Sequence, residues 1–178
     1  MLSIFFAGVY VFFAFFYSSH LHFTEQFQLL VLSWKGFLET IIVPGGFCSY
    51  LGSFLTQFYY LPVAGPLVIA VLLLILQLVM REILFSVHNS NYHLPLSFVP
   101  SLFACMLICN EFFPLSAVTG FLASLTAAWL YISVKNFRKR LIAGFIILGL
   151  TYWTAGGSMY SLLLLMVVYE IILQSKPI

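Results

Sequence analysis

Long apolar runs broken by short polar punctuation dominate the chain. A helix needs roughly 20 mostly apolar residues to cross a hydrocarbon core. Runs of about that kind fall at residues 2–17, 63–80, 96–113, 115–134, 141–155 and 158–173. Several are short, which implies a less tilted crossing or local thinning of the bilayer. The pattern predicts an all-α polytopic membrane bundle, a single domain over 1–178 with about six transmembrane helices. The one long connection is 20–62.

Within that connection the pattern changes from uniformly apolar to striped. Thr24 reads as an N-cap followed by Glu25, which suits the positive end of a helix dipole. Phe27, Leu30, Val31, Trp34, Phe37, Leu38 and Ile41 then recur at three- and four-residue steps, with Glu25, Gln28, Lys35 and Glu39 opposite. Pro44-Gly45-Gly46 breaks this helix. A second stripe follows in Phe47, Tyr50, Leu51, Phe54, Leu55, Phe58 and Tyr59, backed by Ser49, Gly52, Ser53, Thr56, Gln57 and Tyr60. An apolar face with a polar back fits a helix lying in the bilayer interface. The expectation is therefore two interfacial amphipathic helices forming an outer hairpin over 24–60. It serves either as a support packed on the bundle or as a roof over a site between the spans.

Composition narrows the class. Of 178 residues, 63% are hydrophobic and 7% charged, with no Asp, against about 25% charged in a soluble domain. That excludes a soluble globular protein and a disordered chain. A net charge of +2 on so few ionic groups excludes a nucleic-acid binder. The N-terminus lacks a basic n-region and an A-x-A site, so it reads as a retained first helix. Lys135-Asn136-Phe137-Arg138-Lys139-Arg140 is a basic knot. Placing it in the cytoplasm brings Arg81 and Lys176 with it and leaves only Lys35 outside. The expected setting is a bacterial inner membrane with both termini cytoplasmic. The 20–62 segment, the Asn110-Glu111 turn and the Thr154–Ser158 turn then face outward.

Candidate chemistry gathers on that outer side. Glu25 and Glu111 should share a membrane depth, and a carboxylate there is costly unless hydrated or paired. Each is either a solvated helix-end acid or a catalytic group, Glu25 as general base and Glu111 as second acid or metal ligand. His20, His22, Gln28 and Lys35 are the candidate substrate contacts, the two histidines in an extended or turn segment. No cofactor is expected, though a divalent metal is an open option. His88 and His93 fall on the opposite side, so the four histidines do not converge on a haem. Cys48, Cys105 and Cys109 are not a disulfide framework. Cys105 and Cys109 share a helix face, as packing residues or as part of a soft-metal site.

Glu170 and Arg81-Glu82 read as snorkelling anchors. Arg138, Lys139 and Arg140 set topology and meet anionic lipid. Gly120, Ser124 and Ala128 form a small-xxx-small row for close helix packing. No span carries a charge near its centre, which argues against an ion channel or proton pump.

Glu25-Gln26-x-Gln28, Pro44-Gly45-Gly46, Tyr50-Leu51 and the run 54–60 (FLTQFYY) together resemble the start of an uncharacterised family of polytopic membrane proteins from Bacteroides-type bacteria, a domain of unknown function. Members of that family are longer, so the resemblance implies an N-terminal portion or short form. In layout the chain is also similar to GT-C membrane glycosyltransferases, in which an acid opening the first external loop serves sugar transfer from a lipid-phosphate donor. That likeness sets Glu25 in the acid's place. The departures are the missing Asp and the small number of spans.

Three functions follow as expectations. The first is an outer-face enzyme acting on a polyprenyl-phosphate-linked sugar in contact with membrane lipid. The second is a non-catalytic membrane scaffold or assembly subunit that binds another membrane subunit. The third is a carrier of a neutral or lipidic solute.

Overall fold

In the computed structural model, residues 2–27, 30, 33–87 and 95–175 are described, and among them every regular element is helical. Helix α1, Leu2–Val11, widens into a π-helical turn over Phe12–Phe16. The helix breaks at Tyr17 (φ −121°, ψ 15°), and α2, Ser18–Phe27, leaves at a bend of 76°. Rings of Phe12, Phe13, Phe16 and Tyr17 pack on one another at the corner.

Two expectations fail here. His20 and His22 are helical, and Thr24 lies inside α2, where its hydroxyl donates to the His20 carbonyl at 3.0 Å. The real cap is Ser33, whose Oγ accepts from the Gly36 N–H at 3.0 Å and opens α3, Trp34–Ile42. The hairpin is thus α3 with α4, Gly46–Thr56, joined through Val43, Pro44 and Gly45. A β-region Ser with a free hydroxyl outcompetes a Thr whose own hydroxyl is spent on the preceding turn.

After a tight turn at Gln57–Tyr60, α5 runs from Ala64 to Val87, well past the expected end at residue 80, so Arg81 and Glu82 sit within a helix. A short turn, Pro95–Phe98, leads into α6, Val99–Ile108, which is shorter than the expected 96–113. Helices α7, Leu115–Ser133, α8, Phe137–Ala155, and α9, Met159–Ser175, follow. At Gly156 (φ 58°, ψ −125°) the chain reverses between α8 and α9, a backbone region that only glycine occupies freely.

Three stretches are long and apolar enough to cross a membrane: Ala64–Val87, Leu115–Ser133 and Phe137–Leu173. The bent pair α1–α2 gives up to a fourth. This is fewer than the six expected, because α1 bends and α6 is short. The Phe137–Leu173 stretch folds back on itself at Gly156, since Arg140 near its start meets Glu170 near its end. Its arms of 19 and 17 residues each rise about 26–28 Å.

Helix α7 lies at the centre, packed against α4, α5, α8 and α9, and buries Val118, Leu125, Ala128 and Ile132. The row of small residues on α7 is buried as expected, with the Ser124 and Ser161 hydroxyls 2.6 Å apart. The fold sorts charge. One end holds the starts of α1 and α6 (the Phe5 and Phe98 rings are 5.3 Å apart), the last turns of α5 and α7, the start of α8 and the end of α9. Arg81, Lys135, Arg138, Lys139 and Arg140 all lie there. The other end carries α2, the hairpin and the α6–α7 turn, and so Lys35, Glu25, Glu39 and Glu111.

Candidate functional site

At the acidic end, the bend at Tyr17 swings His20 against the α6–α7 turn. His20 Nδ1 lies 3.8 Å from Glu111 Oε1, and Nε2 lies 3.4 Å from the Ile108 carbonyl oxygen. The Tyr17 ring meets the imidazole edge-on at 4.9 Å. His20 is largely buried and Glu111 half exposed. The space beside them is a void of about 10 Å³ lined by His20, Leu21, Thr24, Tyr59, Ile108, Phe113 and Leu115. That is about the space one water molecule needs. Burial pushes the Tyr59 phenol well above its ordinary range.

Two of the six sequence-predicted site residues, His20 and Glu111, therefore meet. Glu25, half-buried on α2, makes no hydrogen bond or ion pair with a described residue. The His22 ring stands 6.5 Å from that of Tyr60, Lys35 is exposed on α3, and Gln28 lies outside the described residues. No group of three His, Cys, Asp or Glu side chains among the described residues is placed to share a metal ion. Cys105 and Cys109 instead pack, half-buried, against the core.

The hairpin is fastened to this end through its small and polar side. Gly46, Cys48, Gly52 and Thr56 are the buried face of α4, while Phe47, Leu51 and Phe54 of the apolar stripe are exposed. A Cβ on Gly52 would lie 2.4 Å from the Ser116 backbone, so only glycine lets α4 cross α7 this closely. Thr119 Oγ1 lies 3.0 Å from the Cys48 carbonyl and 2.9 Å from that of Ser116, so its one proton is shared between them. Gly45 (φ 84°) donates its N–H to the Trp153 carbonyl at 2.8 Å, and its Cα face abuts Gly156.

A cleft of about 380 Å³ opens between hairpin tip and bundle, lined by Gly45, Cys48, Ser49, Ser116, Gly156 and Ser158 among others. None of the predicted site residues lines it. Burial raises the Cys48 thiol pKa, and a hydrogen bond with Thr119 partly opposes that. On α3, Phe37 packs edge-on against Tyr50, whereas Trp34, Leu38 and Ile42 face outward, with Trp34 74% exposed.

The opposite end holds a cluster that sequence reasoning treated as separate anchors. Arg140 is buried, its Nε and Nη2 donating to Glu170 Oε1 and Oε2 at 2.9 and 3.1 Å. Tyr131 adds its hydroxyl to the same Oε1 at 2.8 Å. The rings of Tyr131, Phe137 and Tyr169 stand 5.9, 5.7 and 5.4 Å from the guanidinium carbon. Arg140 is thus not one of the lipid-facing basic groups. The signal that could have found it is Glu170 itself, the lone acid of an apolar helix, which needs a fixed cation nearby.

These features define a class: a helical bundle with apolar helices compatible with a membrane protein, tied by the Arg140–Glu170 ion pair and capped by a helical hairpin. The chain belongs to the family of unknown function DUF6057, whose model matches residues 1–178. Neither the curated proteins nor the solved structures contain a match.

Proposed function

We propose that the chain is an integral membrane protein of the bacterial inner membrane that acts as a non-catalytic scaffold or assembly subunit. Its basic end and both termini lie in the cytoplasm, and its α3–α4 hairpin lies on the outer face. The sorting of five of the six described basic residues to one end of the fold supports that orientation. With the bent α1–α2 pair, α5, α6, α7 and the two arms α8 and α9, six crossings remain the working topology.

The observation that carries the scaffold reading is the reversed polarity of α4. A helix on a water-soluble protein buries its apolar stripe. Here the glycines, Cys48 and Thr56 grip the bundle, and Phe47, Leu51 and Phe54 point away from it. An exposed apolar face is satisfied by lipid or by another membrane segment, and it is held rigidly by backbone-level contacts beneath it. A rigid platform with an apolar top suits the seating of a second membrane chain.

The test is purification of the intact chain from its own membranes in mild detergent. A membrane partner in fixed stoichiometry, lost when Leu51 and Phe54 are both changed to Asn, is the expected outcome. A monodisperse chain carrying lipid alone would sink this reading.

A second reading keeps the lipid-linked-sugar enzyme, with Glu25 and Glu111 as its acids and His20, His22, Gln28 and Lys35 as substrate contacts. The contact between His20 and Glu111, at the end that also holds Glu25, is what favours it. A knockout strain with altered surface glycan, complemented equally by the wild type and by the Glu25→Gln/Glu111→Gln double variant, would remove it.

A further inference from the structure

Beside the Arg140–Glu170 pair the structure leaves a groove of about 420 Å³ between the start of α8 and the end of α9. Its volume lies within the ~300–1,000 Å³ range of ligand sites. The walls are Phe137, Leu141, Met166, Val167 and Ile171, and the Glu170 carboxylate and Tyr131 close its inner side. Three of the carboxylate's acceptor positions are filled by Arg140 and Tyr131, and the Arg140 charge cancels its own. The groove therefore presents hydrocarbon without an uncompensated charge. One of its walls, Phe137, opens α8, and the residues flanking it in the chain, Lys135, Arg138 and Lys139, are all exposed. The first turn of α8 adds the positive end of a helix dipole.

We propose that this groove binds one anionic phospholipid, an acyl chain lying along Phe137, Leu141, Val167 and Ile171 and the phosphate held by Arg138, Lys139 and Lys135. Charge complementarity selects the occupant: three exposed cations around the start of α8 and a neutralised pair beside the groove favour a headgroup of net negative charge. Arg140 is a positioning residue, because its bond to Glu170 holds α8 and α9 at the spacing that makes the groove. The inference is independent of the scaffold reading and needs only that the chain lies in a membrane. Resistance of the chain to carbonate extraction checks that premise separately.

The experiment is thermal unfolding of the full chain in detergent micelles doped with phosphatidylglycerol or phosphatidylcholine. Phosphatidylglycerol is expected to raise the midpoint by about 5 °C at saturation, and phosphatidylcholine and free inorganic phosphate to give less than half of that. Leu141→Trp, which fills the groove, abolishes the shift, while Ile142→Trp on the exposed neighbouring position keeps it. Arg138→Gln with Lys139→Gln alters only exposed side chains, so it tests the phosphate contacts even if the tryptophan variant fails to fold, and it halves the shift or more. Equal shifts from both lipids, or a full shift in the Gln pair, overturn the proposal.

Discussion

Arg140 and Glu170 stand 30 residues apart in the chain, yet join two-pronged, Nε to Oε1 at 2.9 Å and Nη2 to Oε2 at 3.1 Å. The pair makes α8 and α9 antiparallel arms and brings in α7 through Tyr131. Removing one partner strands the other charge among aromatic rings. Arg140→Gln or Glu170→Gln should each lower stability by about 3 kcal/mol, read as earlier unfolding in detergent. Replacing both together, Arg140→Met with Glu170→Leu, should cost much less, because no orphan charge remains. Equal losses in the single and double variants would contradict this.

The crossing of α4 over α7 depends on the missing side chain of Gly52. Gly52→Ala forces the new methyl into the Ser116 backbone, and overpacking of this kind costs about 1–3 kcal/mol. Gly149, in α8, has open space where a Cβ would go. Gly149→Ala should therefore be neutral or stabilise by up to about 1 kcal/mol through helix propensity. Measured side by side, the unfolding midpoint should fall for Gly52→Ala and hold or rise for Gly149→Ala.

Thr119 tethers the hairpin through one hydroxyl proton shared between the carbonyls of Cys48 and Ser116. Thr119→Val keeps the shape and removes the donor, at a cost of about 1–2 kcal/mol. The loss should be local. Proteolysis or hydrogen exchange should quicken across α3 and α4, while the exchange of α5 and α9 stays unchanged.

Cys48 is buried, and burial raises its thiol pKa while Thr119 pulls it partly back. A raised pKa means less thiolate at any given pH, so alkylation by maleimide at pH 8 should be slower than at a cysteine introduced at exposed Ser49. The same sign governs stability. The contribution of the neutral thiol is complete below the ordinary thiol pKa and is lost as pH rises through the raised value. Equal alkylation rates at the two positions would show that the hairpin does not shield Cys48.

Much of the architecture was readable from apolar runs, because length and composition alone define helices such as α5 and α7. The polar sorting was readable too, since Lys135 to Arg140 dominate so sparse a charge set. What escaped was what depends on partners. The break at Tyr17 falls where aromatic rings pack on one another, with neither Pro nor Gly to announce it. The apolar stripe of α4 did not say which face meets the bundle, because small residues decide contact between helices in an apolar setting. Of the site, the expected pairing was Glu25 with Glu111, whereas the side chain that approaches Glu111 is His20, brought there by the bend at Tyr17. The Arg140–Glu170 union was missed, as the two residues lie on separate helices and no local spacing links them.

The meeting of Gly45 with Gly156 has a genetic corollary. Each turn presses the other where a side chain would begin, and both backbones are held at positive φ. Two stretches far apart in the coding sequence are thereby yoked into one locus. A change at either codon is disfavoured twice, by the opposite turn and by its own backbone, so a second change that moves the opposite turn away relieves only the first.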